Sequence, residues 1–154
     1  MDTMACMEAA HAGDVDLAVC LGGNLFGSNP DATFAAQSLQ RIGTTIQLST
    51  TLNTGHAWGR GREMIVLPVL ARDEEPQATT QESMFNLVRL SDGGAPRHGG
   101  PRAESAIIAA WGEAVLGMDG PADWTALHDH AAIRAMLGAV VRPHTPTLLS
   151  AGTL

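Results

Sequence analysis

The sequence contains no lysine and no tyrosine, and it is poor in charge and in large aromatic side chains. All nine basic residues are arginine, and against 16 acidic residues they leave a net charge of −7 with histidine neutral. Because nucleic acids and anionic membrane surfaces are bound through clustered positive charge, this balance argues against both partners. Hydrophobic residues make up 45% of the 154-residue chain, so the composition does not predict disorder.

Cysteine is also scarce, and long hydrophobic runs are absent. Cys6 and Cys20 are the two cysteines and do not form a CxxC pair, so neither a disulfide framework nor a cysteine metal cluster is predicted. A reducing, cytoplasmic location is expected. The longest largely apolar runs are Val15–Leu21, which includes Asp16, and Met64–Ala71, and both are far shorter than the roughly 18 residues of a membrane span. The N-terminus has no basic region, so a signal peptide is not expected.

The first half of the chain alternates between strand-like and helical segments. Val15–Leu21, Thr44–Leu48 and Met64–Leu67 have the composition of buried parallel strands, the first of them buried on both faces. A helix over Pro30–Ile42 with Asn29 as its N-cap is predicted between the first two. Strands that alternate with a helix imply parallel order and a right-handed crossover. The predicted fold class is therefore α/β, with three layers and a mostly parallel sheet.

The remaining segments predict three helices, one strand and two loops. The predicted helices are Met4–Ala12, Ala103–Leu116 and Ala122–Gly138. The predicted strand is Ser83–Leu90, and the predicted loops are the acidic loop Ala71–Thr80 and the flexible loop Asp92–Pro101. The tail Arg142–Leu154 has two prolines and no periodicity, and it is predicted to be poorly ordered.

The strongest local signal for function is the turn that follows the first predicted strand. Gly22, Gly23 and Asn24 come directly after an apolar run. In a doubly wound sheet, ligands bind beyond the carboxyl ends of the strands, and glycine lets backbone N–H groups approach a phosphate. The spacing to the next glycine, Gly27, is not GxGxxG, so a nicotinamide cofactor is not favoured. A plain strand-to-helix turn is the alternative.

A second polar loop follows the second predicted strand. Ser49, Thr50, Asn53 and His56 offer hydroxyls, an amide and an imidazole, which suit a ribose or a base edge. Because the loops that follow neighbouring parallel strands emerge at the same edge of the sheet, this loop would lie beside the glycine turn. The alternative is a solvated loop whose side chains cap local turns.

The other polar residues do not form a recognisable catalytic or metal-binding pattern. The six histidines include no HExxH, and His128 and His130 would point to different faces of a predicted helix, so no metal site is predicted. Glu74 and Glu75 are interpreted as a solvated acidic turn rather than an acid–base pair. The sequence has no GxSxG and no cysteine with an evident partner, so no catalytic residue is predicted.

Six segments in order resemble one family of enzymes. They are LGGNLFGSNPDA, STTLNTGH, VLPVLARDE, QESM, RAESAIIA and DW followed by IR ahead of VV. They resemble the FdhF/YdeP-type molybdopterin oxidoreductases, which are formate dehydrogenase-like members of the dimethyl sulfoxide reductase superfamily. Members are several times longer and bind a bis(molybdopterin guanine dinucleotide) molybdenum cofactor (bis-MGD). The resemblance implies that residues 1–141 are part of the Rossmann-like α/β domain that holds one guanine dinucleotide arm.

The resemblance also assigns expectations to individual residues. It implies that the cofactor-binding positions are those of the two loops, namely Gly22, Gly23 and Asn24 facing phosphate, and Ser49, Thr50, Asn53 and His56 near ribose and guanine. Pro68 and Glu74 match a stretch expected to form loop structure. Residues 142–154 diverge from the family, which is expected of a frameshifted or truncated reading frame.

Several parts of the superfamily have no counterpart in this sequence. The molybdenum-ligating region and the C-terminal pterin-binding domain are absent, and Cys6 and Cys20 match no iron–sulfur ligand. The resemblance therefore implies a fragment of a molybdenum-dependent oxidoreductase whose partners are the molybdenum cofactor and the missing domains, and the isolated chain is expected to be inactive. The alternatives are a stand-alone nucleotide-binding or assembly module and a non-functional remnant.

Overall fold

A computed structural model describes residues 2–84, 88–117, 120 and 122–140. The chain divides into two compact units, Met1–Val69 and Leu70–Leu154. The predicted disordered tail, Arg142–Leu154, lies outside the described residues. Within the described ranges, no helix has both the length and the apolar character needed to cross a bilayer.

The first unit contains a three-stranded parallel sheet. Its strands are β1 (Leu17–Leu21), β2 (Thr44–Ser49) and β3 (Glu63–Pro68), in the spatial order β1-β2-β3. The three predicted strands are thus confirmed as neighbours in parallel order, and the structure has the predicted α/β class. The order places the carboxyl ends of all three strands, and the loops that follow them, at one edge of the sheet.

Two helices of this unit begin at aspartate caps. The side chain of Asp2 accepts a hydrogen bond from Ala5 N–H at 2.8 Å at the start of α1 (Thr3–Ala12). The carboxylate of Asp31 accepts from Phe34 N–H at 2.9 Å at the start of α2 (Ala32–Leu39). The prediction of Asn29 as the N-cap was therefore wrong. The Asp31 side chain reaches the third helical N–H, so the helix begins after Pro30 rather than at it.

Helices α1 and α2 pack together over one face of the sheet. The core between them consists of small and aliphatic side chains, namely Met7, Ala10, Ala35, Leu39 and Ile42. Partly buried residues pack against this core, and they include Ala18 of β1. Alanine at two of these positions, Ala10 and Ala35, lets the two helices approach each other and the sheet closely. This packing positions the loops that follow β1 and β2.

Strand β1 is not buried on both faces, contrary to the prediction. Leu17, Val19 and Leu21 are 57%, 46% and 56% exposed, whereas Ala18 lies against the helical core. In the described sheet β1 pairs only with β2, so it is an edge strand with one covered face. The apolar run of β1 therefore belongs to a strand that has one apolar face exposed. Composition alone does not distinguish such a strand from one that is buried on both faces.

The second unit begins with a short 3-10 helix and a hairpin. The 3-10 helix spans Arg72–Glu74, and β4 (Thr79–Glu82) pairs antiparallel with β5 (Val88–Ser91). The strand predicted over Ser83–Leu90 is found in part: Val88–Leu90 belong to β5, whereas Ser83 and Met84 lie outside both strands. Residues 85–87 of this prediction lie outside the described residues. Strand β4 was missed because TTQE is polar and follows the acidic segment without an apolar alternation.

Two further α-helices lie in the described part of the second unit. Helix α4 (Glu104–Leu116) matches its prediction to within one residue at its start. The helix predicted over Ala122–Gly138 is instead a 3-10 helix, Ala126–His128, followed by α5 (His130–Val140). The break falls at Asp129, which is extended and whose side chain accepts from Ala131 N–H at 2.6 Å. Asp129 thus caps α5 and ends the preceding turn.

Candidate functional site

The loop after β1 and the loop after β2 are joined by two asparagine side chains. Asn53 Nδ2 donates to Gly23 O at 3.0 Å. Asn24 Nδ2 donates to Thr54 Oγ1 at 2.8 Å. The structure therefore brings together the two segments that the sequence analysis singled out, at the carboxyl edge of the parallel sheet.

Asn53 also starts a short helix that the sequence analysis missed. Helix α3 (Thr54–Trp58) has Asn53 as its N-cap, and Asn53 Oδ1 accepts from Gly55 N–H at 2.8 Å. In return, Asn53 N–H donates to His56 Nδ1 at 2.9 Å, which completes a capping box. The signal available in the sequence was asparagine followed three residues later by a side chain that can accept a hydrogen bond.

The side chain of Asn24 is held at both ends of its amide. Its Oδ1 accepts from Gly27 N–H at 2.8 Å, while its Nδ2 is bound to Thr54. A Cβ atom at Gly55 would lie 2.6 Å from Asn24 Oδ1, so the start of α3 approaches this amide as closely as glycine permits. Asn24 and Asn53 therefore use their amides to hold the two loops together.

The backbone of the glycine turn has donors that remain available. Gly22 and Gly23 have φ values of +65° and +69°, and Gly22 N–H donates to Leu48 O at 2.8 Å. No hydrogen bond recorded for the described residues uses the N–H of Gly23 or Asn24. A Cβ atom at Gly23 would meet no described atom within 4 Å, so the space beside this turn is open.

His56 carries a buried donor without a partner. The residue is 9% exposed, and its Nδ1 accepts from Asn53 N–H, so the proton of the neutral ring is on Nε2. Nε2 is buried and has no hydrogen-bond partner within the described structure. A buried unpaired donor costs about 1–3 kcal/mol, so such a group identifies a place where an acceptor stabilises the protein.

The two hydroxyls predicted to face a ribose differ in their availability. Ser49 is the buried last residue of β2, and its Oγ donates to Thr51 O at 2.9 Å. Thr50 is exposed, and no hydrogen bond of its hydroxyl is found among the described residues. Pro68 ends β3 directly opposite Ser49, at the same edge of the sheet. Thr50 is thus the hydroxyl that a ligand can reach.

The acidic pair Glu74 and Glu75 is not the solvated turn that was predicted. Glu74 Oε2 accepts from Ala71 N–H at 3.2 Å, and its Oε1 lies 3.6 Å from Arg97 Nη1. Glu75 is only 6% exposed, and its Oε1 accepts from Gln77 N–H at 3.3 Å. The two carboxylates cap local backbone groups, which is a structural use that spacing alone does not reveal.

Both cysteines line one apolar cavity of the first unit. The cavity has a volume of about 380 Å³, and its lining includes Cys6 on α1 and Cys20 on β1. Burial raises the pKa of the Cys20 thiol, and a hydrogen bond with Gln47 opposes the shift. The thiolate form of Cys20 is therefore disfavoured, and this cysteine is a poor nucleophile. In the described ranges, no group of three or more metal-ligating side chains converges.

Comparison with known proteins shows that the chain is similar in sequence to a segment of larger proteins. No protein-family model matches the sequence. Three relatives, one from Mycobacterium bovis and one from each of two strains of Mycobacterium tuberculosis, are each named as an uncharacterized oxidoreductase and are 31% identical over 148 residues. The match covers 91% of this chain, but the chain spans only 19% of the length of these curated relatives. The chain is thus similar to one segment of proteins named as oxidoreductases.

Proposed function

We propose that this chain is a segment of a molybdopterin-dependent oxidoreductase and contributes part of the guanine dinucleotide site of the molybdenum cofactor. The observation that carries the proposal is the junction of the two loops. Among the described residues it leaves the N–H groups of Gly23 and Asn24 and the Nε2–H of His56 without partners. The oxidoreductase class is supported by the names of the mycobacterial relatives. The molybdenum cofactor is supported by the family resemblance of the sequence.

The chemistry of the unused groups suits a nucleotide. Phosphate oxygens and the guanine O6 accept hydrogen bonds, and all three unused groups are donors. Gly23 has no Cβ that would block the approach of a phosphate, and its positive φ is a backbone conformation that glycine adopts readily and other residues rarely adopt. The residues present therefore fit a phosphate-bearing ligand.

Each residue has a separate part in this proposal. When bound, the cofactor supplies the redox chemistry, and the protein positions and encloses it. Gly23 and Asn24 donate backbone N–H groups to phosphate, and Thr50 offers its hydroxyl to ribose. His56 donates from Nε2 to an oxygen of the base or sugar. Asn53 holds the second loop against the first, so that these donors converge.

The first prediction concerns nucleotide binding by the chain itself. Titration of the 154-residue chain with guanosine diphosphate is expected to shift the amide NMR signals of Gly23, Asn24 and His56. The Gly23→Val variant is expected to bind guanosine diphosphate at least about tenfold more weakly, because a side chain at this open position blocks the phosphate. The loss of one charge-assisted hydrogen bond lowers affinity by about this factor.

Gly117→Val is the matched control, because Gly117 has a φ of +68°, close to that of Gly23, and a Cβ there also meets no described atom within 4 Å, but it lies far from the turn in sequence. It should bind the nucleotide as the unaltered chain does. Shifts confined to other parts of the chain, or equal affinity in the Gly23→Val variant, would contradict the assignment of these residues. The two loops would then serve only to pack against each other.

The molybdenum part of the proposal is tested on a whole relative. The full-length Mycobacterium tuberculosis oxidoreductase, purified from cells grown with molybdate, is expected to contain molybdenum by elemental analysis and to release guanine nucleotide after acid treatment. A preparation that is active as an oxidoreductase but free of molybdenum would rule out the molybdenum cofactor, even if the chain described here binds guanosine diphosphate.

The second prediction is that the isolated chain has no oxidoreductase turnover. A reaction at molybdenum requires the metal, both dithiolene arms and a substrate pocket, and this segment supplies contacts to one arm only. Formate oxidation assayed with the purified chain, with cofactor and an artificial electron acceptor added, is expected to equal the rate without protein. Protein-dependent formate oxidation would overturn this prediction.

A further inference from the structure

Ser105 and His130 form a hydrogen-bonded pair that joins two helices of the second unit. Ser105 Oγ lies 2.8 Å from His130 Nε2. Ser105 is in the first turn of α4, and His130 is the first residue of α5. Both residues are partly exposed. The proposed cofactor function uses neither residue.

The neighbours of His130 determine which ring nitrogen carries the proton. Nδ1 lies 3.3 Å from Ala78 O, and a carbonyl oxygen can only accept. Nδ1 therefore carries the proton of the neutral ring, Nε2 is the acceptor, and Ser105 Oγ–H donates to it. The backbone of His130 is also fixed, because its N–H donates to Gln77 Oε1 at 2.9 Å. The imidazole is thus oriented as a base toward the serine hydroxyl.

In a second serine–histidine pair of the chain, the serine hydroxyl donates away from the imidazole. Ser38 Oγ lies 3.3 Å from His11 Nδ1, but the Ser38 hydroxyl donates to Phe34 O at 2.7 Å. Its proton is directed to a carbonyl rather than to the imidazole, and Ser38 is fully buried. Proximity of serine and histidine is therefore not the distinguishing feature. Ser105 differs in the direction of its hydrogen bond and in its exposure.

The surroundings of Ser105 also provide donors for a developing negative charge. Helix α4 has no side-chain cap, and its first main-chain hydrogen bond runs from Ile107 N–H to Ala103 O at 3.1 Å. The N–H groups of Ser105 and Ala106 precede that bond and have no partner within the helix. Unpaired N–H groups beside a nucleophile stabilise the oxyanion of an acyl-transfer intermediate.

We propose that Ser105 and His130 are a nucleophile and general base that hydrolyse small activated esters, independently of the proposed cofactor function. Ser105 Oγ attacks the ester carbonyl carbon while His130 Nε2 takes the hydroxyl proton. The bond to the leaving oxygen breaks, and His130 returns the proton to the departing alcohol. Water then attacks the acyl-serine with His130 as base, which releases the acid and restores the Ser105 hydroxyl. The Ala78 carbonyl positions the ring throughout.

The third prediction is that a fluorophosphonate probe labels Ser105 of the 154-residue chain. Ser105 Oγ would form a bond to phosphorus, fluoride would leave, and His130 would take the proton. Peptide mass spectrometry should locate the adduct on Ser105 and not on Ser38, which serves as the internal control. The Ser105→Ala variant should lose the adduct, and His130→Gln should slow labelling about 100-fold, within the range of general-base effects.

A second measurement on the unaltered chain does not depend on the folding of any variant. 4-Nitrophenyl acetate should acetylate Ser105, adding a mass that disappears after hydrolysis. Absence of both the phosphonate and the acetyl adduct from Ser105 would overturn the proposal. The pair would then be only a structural hydrogen bond between α4 and α5. Equal labelling of the folded His130→Gln variant would remove the assigned role of His130.

Discussion

Replacement of Leu39 with alanine is expected to destabilise the unit Met1–Val69 by about 2–5 kcal/mol, the range measured for buried leucines. Leu39 is 2% exposed and lies at the end of α2, in the core cluster with Met7 and Ile42. The substitution removes most of the side chain between α2 and the sheet, and it leaves a cavity that neighbouring alanines cannot fill. Urea denaturation followed by circular dichroism would measure the loss of stability.

Leu52→Ala is the matched control, because Leu52 is 76% exposed. Its effect should stay within about 0.5 kcal/mol, as is usual for surface substitutions. If both variants unfold at the same urea concentration, Leu39 does not pack as the structure has it. The arrangement of α2 over the sheet would then have to be revised, and with it the position of the loop after β1.

The sheet of the first unit was predictable because its signals are local. Each strand is a short run of apolar or β-branched residues, and a helix between β1 and β2 favours a parallel crossover. Exposure was not predictable in the same way. Val19 is apolar and lies in a strand, but whether its face is covered depends on elements that are distant in sequence. An apolar run therefore predicted the strand correctly and its burial incorrectly.

The candidate site was predictable at the level of loops but not of atoms. Parallel order implies that the loops after β1 and β2 lie at the same edge, and the structure joins them there. The partners of Asn24 and Asn53 could not be read from spacing, because each amide can bond locally or across to the other loop. Thr54 was overlooked for this reason, although it is the partner of Asn24.

The second unit shows how a cap overrides a helical pattern. Apolar residues recur at helical spacing through Ala122–Gly138, so one continuous helix was predicted. Asp129 interrupts it, because its carboxylate accepts from Ala131 N–H and its backbone is extended. This break places His130 at the start of α5, where its ring meets Ser105. A histidine interpreted as an ordinary helical residue thereby became half of the proposed nucleophile–base pair.

Replacement of Gly59 with alanine is expected to destabilise the first unit by about 1–3 kcal/mol, which is typical of overpacking. A Cβ atom at this position would lie 2.5 Å from Phe26 Cβ and 3.1 Å from Leu39 Cδ1. The φ of Gly59 is −103°, which alanine adopts without strain, so the expected loss comes from packing alone. Phe26 Cβ is fixed to the backbone, and relief of the contact therefore requires the loop after β1 to move.

That movement links stability to the candidate site. Gly59 ends α3, whose start is bound to the loop after β1 through Asn24 and Thr54, so displacement of Phe26 should also shift the NMR signals of Gly23 and Asn24. Gly99→Ala is the control, because a Cβ there meets nothing within 4 Å. It should keep or slightly raise the stability, since alanine lowers the entropy of the unfolded chain. If Gly59→Ala matches this control in stability and in the signals of the glycine turn, the close packing of α3 on the first loop is wrong, and the convergence of the two loops loses its structural basis.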